Sequence, residues 1–228
     1  MAMRGVRWWV VSLGVCGACS VHTQVDPRPE FASASERTGS TCGADLCVGD
    51  YAIENVVWPQ VDSPSEIAIG GVGVHFARDW ALTARARSAK YGDAEIRCAG
   101  DTSVGDHPEE PHAIECRITH AAEASSMLFR VDSVDHRARQ LSGEAAHADG
   151  SATTVKPVRL RGASAQGVRG YEVANGDTQV ALLDVTRVDK PRSWIGKDLG
   201  EAHYRRTALT VSTTYLVFRL LDSHGVLD

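Results

Sequence analysis

Apolar and polar residues alternate with a period of two along much of this chain, and that pattern predicts a domain built from β-strands. In Ala94-Glu95-Ile96-Arg97-Cys98 the apolar residues share one face and the charged ones the other, and Ile114-Glu115-Cys116-Arg117-Ile118 repeats the arrangement. Met127, Phe129 and Val131 alternate with Arg130 and Asp132 in the same way. Tyr171-Glu172-Val173-Ala174 runs through Asn175-Gly176 into Gln179-Val180-Ala181-Leu182-Leu183, which reads as a hairpin because Asn-Gly tolerates the positive φ angles of a two-residue turn.

Two segments are less direct. Asp79 to Lys90 alternates Trp80, Leu82, Ala84 and Ala86 with Thr83, Arg85 and Arg87, while its Ala and Arg content would also suit a helix capped by Asp79; a strand is the preferred expectation. Thr207 to Leu221 contains no Gly or Pro, and Leu209, Val211, Thr213, Tyr215 and Val217 form one parity. Read as a strand it exceeds the usual length of roughly 3 to 10 residues, so it is expected to bend or to wrap a barrel. Polar or Gly-rich breaks at Gly70-Gly71, Gly100 to His112, Ser142-Gly143, Asp149-Gly150-Ser151 and Gly162 to Gly170 separate the strands. The fold class expected is all-β: a single antiparallel β-sandwich or open β-barrel.

The N-terminus follows a different pattern. Arg4 and Arg7 precede an apolar run from Trp8 to Val15, and Gly17-Ala18 stand before Cys19. A basic start, a short apolar core and small residues at the cut form a secretory signal, and this run is far shorter than the roughly 20 residues that span a bilayer. The segment resembles the lipobox of bacterial lipoproteins, with Cys16 where Leu is usual. That resemblance implies lipidation at Cys19 and a place in the cell envelope, with Ser20 matching outer-membrane sorting; a cut before Cys16, or plain cleavage after Ala18 into the periplasm or medium, are the alternatives. Residues 19–41 are poor in large apolar side chains and rich in Pro, Ser, Ala and Thr, so they are expected to be a disordered tether. The organisation expected is therefore a signal peptide at 1–18, a tether at 19–41 and one β domain at 42–228.

Four cysteines remain after the signal, Cys42, Cys47, Cys98 and Cys116, and an exported protein favours disulfides over zinc. Strand parity turns both Cys98 and Cys116 toward the core; if their strands pair, a Cys98–Cys116 disulfide bridges them and Cys42 is left to Cys47. Apolar residues make up 43% of the chain, enough for one core in the domain. Without Arg4 and Arg7 the 24 basic residues become 22 against 29 acidic, a formal charge near −7, which disfavours nucleic acid or anionic lipid as a partner.

Local chemistry is sparse. Asp106-His107-Pro108-Glu109-Glu110-Pro111-His112 holds metal-ligand residue types, but two prolines splay its side chains, and a solvated loop within the Cys98–Cys116 ring is expected instead. Gly162-Ala163-Ser164-Ala165-Gln166 lacks the closing Gly of a nucleophile elbow, and Gly71-Val72-Gly73-Val74-His75-Phe76 lacks the third Gly of a dinucleotide fingerprint. His203-Tyr204-Arg205-Arg206 is the densest cationic and aromatic cluster and the candidate site for an anionic ligand or glycan, set against a strand start with its charges in water. Trp58, Trp80 and Trp194 are core or rim residues on expectation. No catalytic residue, metal or cofactor is assigned. The function expected is a non-catalytic binding or assembly module, tied to the membrane by a lipid and meeting an envelope protein or glycan. The alternatives are a lipocalin-like carrier and an envelope hydrolase whose site is assembled from distant strands.

Overall fold

A computed structural model describes residues 31–32, 35–38, 46–58, 67–69, 72–74, 80–101, 113–121, 123–134, 138–158, 170–189, 191–223 and 227. Its strands are β1 (Ser35–Thr38), β2 (Leu46–Val48), β3 (Tyr51–Val57), β4 (Ile67–Ile69), β5 (Val72–Val74), β6 (Trp80–Arg87) and β7 (Ala94–Asp101). They continue with β8 (Ala113–His120), β9 (Glu123–Val134), β10 (Ala138–Ala146), β11 (Ala152–Val158), β12 (Gly170–Asn175), β13 (Thr178–Asp184) and β14 (Arg192–Gly196). A single long helix, α1 (Glu201–Ser223), follows.

Twelve strands form one antiparallel sheet in the order β1-β14-β13-β12-β11-β10-β9-β8-β7-β6-β3-β2, and β4 and β5 pair separately. From β6 to β14 this is a meander, each strand pairing with the next in sequence. The expected hairpin is β12 to β13, with Asn175 opposite Thr178 and Gly176 at φ 58°. Within the segment from Asp79 to Lys90, Trp80–Arg87 is the strand β6, as preferred over a helix.

The sheet curls into a nearly closed barrel around α1, so the all-β expectation holds and its barrel form is the one realised. The helix touches β2 and β3 at one end of the sheet, β13 and β14 near the other, and β8, β10 and β12 between. The two ends meet at the β2–β3 turn, where a Cβ on Gly49 would lie 3.3 Å from Ile195 Cδ1 of β14.

Parity decides what faces the helix. Ala94, Ile96 and Cys98 on β7 and Ile114, Cys116 and Ile118 on β8 are buried, while Glu95, Arg97, Glu115 and Arg117 between them are exposed. Cys98 and Cys116 sit directly opposite one another and form the expected disulfide. Alanines at 84, 86, 94 and 145 on the inner face leave room for a helix in the middle. Outside, the charges pair along the sheet, with Arg85 to Asp93 at 2.5 Å and Arg97 to Glu95 at 2.7 Å. A face so charged is unlike the apolar band of a membrane barrel.

The expectation for Thr207 to Leu221 is corrected: the segment is helical. Every residue from Thr207 to Phe218 is buried, so no polar face marks a helical period, and the Thr and Val content imitates a strand. Its hydroxyls are satisfied within the helix: Ser212, Thr213 and Thr214 donate to the carbonyls of Ala208, Leu209 and Thr210, each at 2.8 Å. Among the described residues no helix is long and apolar enough to cross a membrane.

The expected tether is also corrected at its end. Ser35–Thr38 pairs with β14 in register with Ser193 to Gly196. Just before it, Phe31 packs on a small outer cluster formed by Leu182 and Trp194.

Candidate functional site

At the barrel end where α1 begins, four hairpin turns gather round the first two turns of the helix. The β2–β3 turn brings Gly49, φ 56°, so close that an added Cβ would fall 2.4 Å from the Tyr204 hydroxyl. From the β6–β7 turn the Tyr91 ring lies 5.7 Å from Tyr204, centre to centre, and 6.1 Å from Tyr51. Glu123, just past the β8–β9 turn, binds Arg205 at 2.5 Å. Asp149, in the β10–β11 turn, binds Arg206 at 2.5 Å.

Turn chemistry positions these groups. Gly150 adopts φ 79°, and Asp149 Oδ1 accepts the Ser151 amide at 3.0 Å and its hydroxyl at 2.6 Å, an Asx turn that leaves Oδ2 for Arg206. The Ser151 hydroxyl, then the Arg206 guanidinium, hold the Asp149 carboxyl well below the usual carboxylate range. On the neighbouring turn Ser88 Oγ accepts the Tyr91 amide at 3.1 Å, and His120 Nε2 donates to the Tyr91 carbonyl at 2.5 Å.

Behind the ion pairs runs a chain of hydrogen bonds through four strands and turns. Thr153 of β11, 4% exposed, donates to Asn175 Oδ1 at 2.7 Å. Its oxygen therefore accepts His147 Nε2–H at 2.9 Å, and His147 Nδ1 accepts the Ser125 hydroxyl at 3.3 Å. Burial, followed by Arg206 and His203, pushes the His147 imidazole below its ordinary value, with Asp149 opposing. The ring is thus a neutral Nε2–H tautomer. Ser125, His147, Arg205 and Arg206 line one small pocket with His120, Glu123 and Thr210, over an apolar floor of Ile118, Ala145 and Leu209. Tyr51, 1% exposed beside Arg205, has its hydroxyl without a hydrogen-bond partner, and burial raises that phenol to about 12.

The candidate residues of the sequence therefore meet at this mouth, in a setting different from the one expected. His203, Tyr204, Arg205 and Arg206 open a helix and not a strand. His203 is exposed, whereas the two arginine side chains are only 17% and 15% exposed. Ser125, His147, Glu123 and Asp149 escaped sequence reading because only the meander brings them together; the one local sign was the Asp149-Gly150-Ser151 turn.

Elsewhere, Cys47 is disulfide-bonded, while Cys19 and Cys42 lie outside the described residues. So do Asp106 to His112, Gly162 to Gln166 and His75. Val72–Val74, with Gly73 at its centre, is a strand. Trp58 lies beneath the Arg219 guanidinium at 5.4 Å and packs on the main core, whereas Trp194 belongs to the separate outer cluster, so these two share no pocket. Among the described residues no group of His, Cys, Asp and Glu is placed to hold a metal ion.

The fold and the site together define an antiparallel β-barrel filled by its own C-terminal helix and fastened at one mouth. Comparison with known proteins returns no similar family model, curated protein or solved structure.

Proposed function

We propose that this protein is a binding or assembly module of the bacterial cell envelope, exported by its N-terminal signal and held to the membrane by a lipid on Cys19. It works through its outer surface and its mouth. The observation that carries this reading is the helix: Thr207 to Phe218 and Leu220 to Leu221 occupy the space that a lipocalin-like carrier keeps open for its ligand. The acidic balance of the chain turns it away from nucleic acid and toward an envelope protein or glycan.

Two measurements test the reading. Metabolic labelling with an alkyne palmitate should mark the wild type, and Cys19→Ser should lose both the label and the membrane fractionation. Recovery of unprocessed Met1 from cells would overturn export. A fluorescent fatty acid should find no saturable site in the folded domain; stoichiometric uptake would restore the carrier.

A further inference from the structure

Arg205 and Arg206 are adjacent on α1 and line the same pocket. A guanidinium offers five N–H donors. Among the described residues Arg205 bonds Glu123 and Arg206 bonds Asp149, so most of their donors are not engaged by described protein groups although both side chains are more than four-fifths buried. Neither arginine has a nitrogen that is both fully buried and unbonded, so the remaining donors reach solvent and can meet an acceptor that arrives from it. The two carboxylates are about half exposed and meet the guanidinia from the solvent side, with side-chain exposures of 51% and 48%.

We propose that this pocket binds a small oxyanion, the phosphate, sulfate or carboxylate group of a ligand, in the two guanidinium forks; this rests on the reading that ligands are met at the mouth. Oxyanions supply acceptor oxygens in the geometry that paired guanidinia match, and the first turns of a long helix favour negative charge. Glu123 lines the same pocket and competes with the ligand. His147 makes the site sensitive to acid. Neutral, its Nδ1 is an acceptor toward Ser125; protonated, both ring nitrogens donate and the pocket gains a charge. The groups facing His147 are Arg206 and His203 on the helix, Asp149 on the turn, Ser125 on β9 and Thr153 on β11.

The test uses the full chain and sulfate, which does not titrate near neutrality, with arginine and histidine side-chain NMR signals followed at constant ionic strength set by chloride. Sulfate should shift the Arg205, Arg206 and His147 signals saturably, and more tightly in mild acid than at neutrality. Arg206→Gln should weaken binding about tenfold. Glu123→Gln should tighten it severalfold, a gain that a damaged fold cannot mimic, and His147→Gln should keep binding but lose the acid enhancement. Competition by phosphatidylglycerol vesicles would assign the oxyanion to a lipid headgroup, and competition by inorganic phosphate alone to a free ligand. An unsaturable response, or equal affinity in wild type, Arg206→Gln and Glu123→Gln, would mark sulfate as an adventitious ion and overturn the proposal. Fatty acid uptake into the barrel would instead sink the mouth reading on which it rests.

Discussion

Arg206, in the second turn of the helix, and Asp149, at the tip of a hairpin 57 residues earlier, meet at 2.5 Å and fasten the barrel to its own filling. The carboxylate is also the acceptor that shapes its turn. Asp149→Asn should therefore speed amide exchange through His147 to Ser151 and lower the melting temperature at neutral pH. Because folding depresses this carboxyl, its stabilisation is complete above the unfolded value of about 4 and is lost as pH falls below it. The gap between the two melting curves should close in strong acid.

His147 carries the opposite liability. Its folded value is lowered, so below about pH 6.5 the unfolded chain binds the extra proton more readily and stability declines until the folded ring also titrates. Melting temperatures recorded from neutral into mild acid should show that fall in the wild type, and His147→Gln should flatten it.

Gly143 of β10 stands opposite Phe129 of β9, whose ring is fully buried. A Cβ at 143 would come within 2.8 Å and 2.9 Å of two ring carbons. Gly143→Ala is expected to cost about 1–3 kcal/mol through overpacking, read from urea denaturation.

The Cys98–Cys116 bridge spans a sequence separation of 18 and joins two inward positions. Replacing both cysteines with alanine should lower unfolding free energy by about 3 kcal/mol, while the circular dichroism of the sheet persists. An unchanged denaturation midpoint would contradict the assignment.

Thr213 distinguishes a helix from a strand at the same sequence. Its hydroxyl bonds to its own helix at Leu209. Thr213→Val keeps the shape and removes only that local bond, so it should change stability by less than about 1 kcal/mol. Thr213→Pro removes a backbone bond and clashes with the preceding turn, at about 3 kcal/mol or more.

Much of the sheet was legible because half-buried strands write their two faces into alternate residues. Ile96 and Cys98 against Arg97, and Cys116 between Glu115 and Arg117, turned both cysteines inward, and with the strands paired the disulfide follows. Asn175-Gly176 announced its hairpin through backbone chemistry alone. The helix was hidden for the converse reason: a segment buried on all sides has no polar face, and its β-branched residues favour a strand until the barrel closes round them. The mouth was half legible. Arg205 and Arg206 were visible as a cluster, but Glu123, Ser125, His147 and Asp149 join them only through the meander, and no local spacing encodes that.

The pairing of Ser35–Thr38 with β14 and the packing of Phe31 on Trp194 lay the N-terminal side of the chain on the outside of the barrel. If Cys19 carries the proposed lipid, eleven residues, 20–30, separate it from Phe31, and a stretch of that length spans at most about 40 Å. On that proposal the domain stays close to the membrane surface, and a partner has to come to it there.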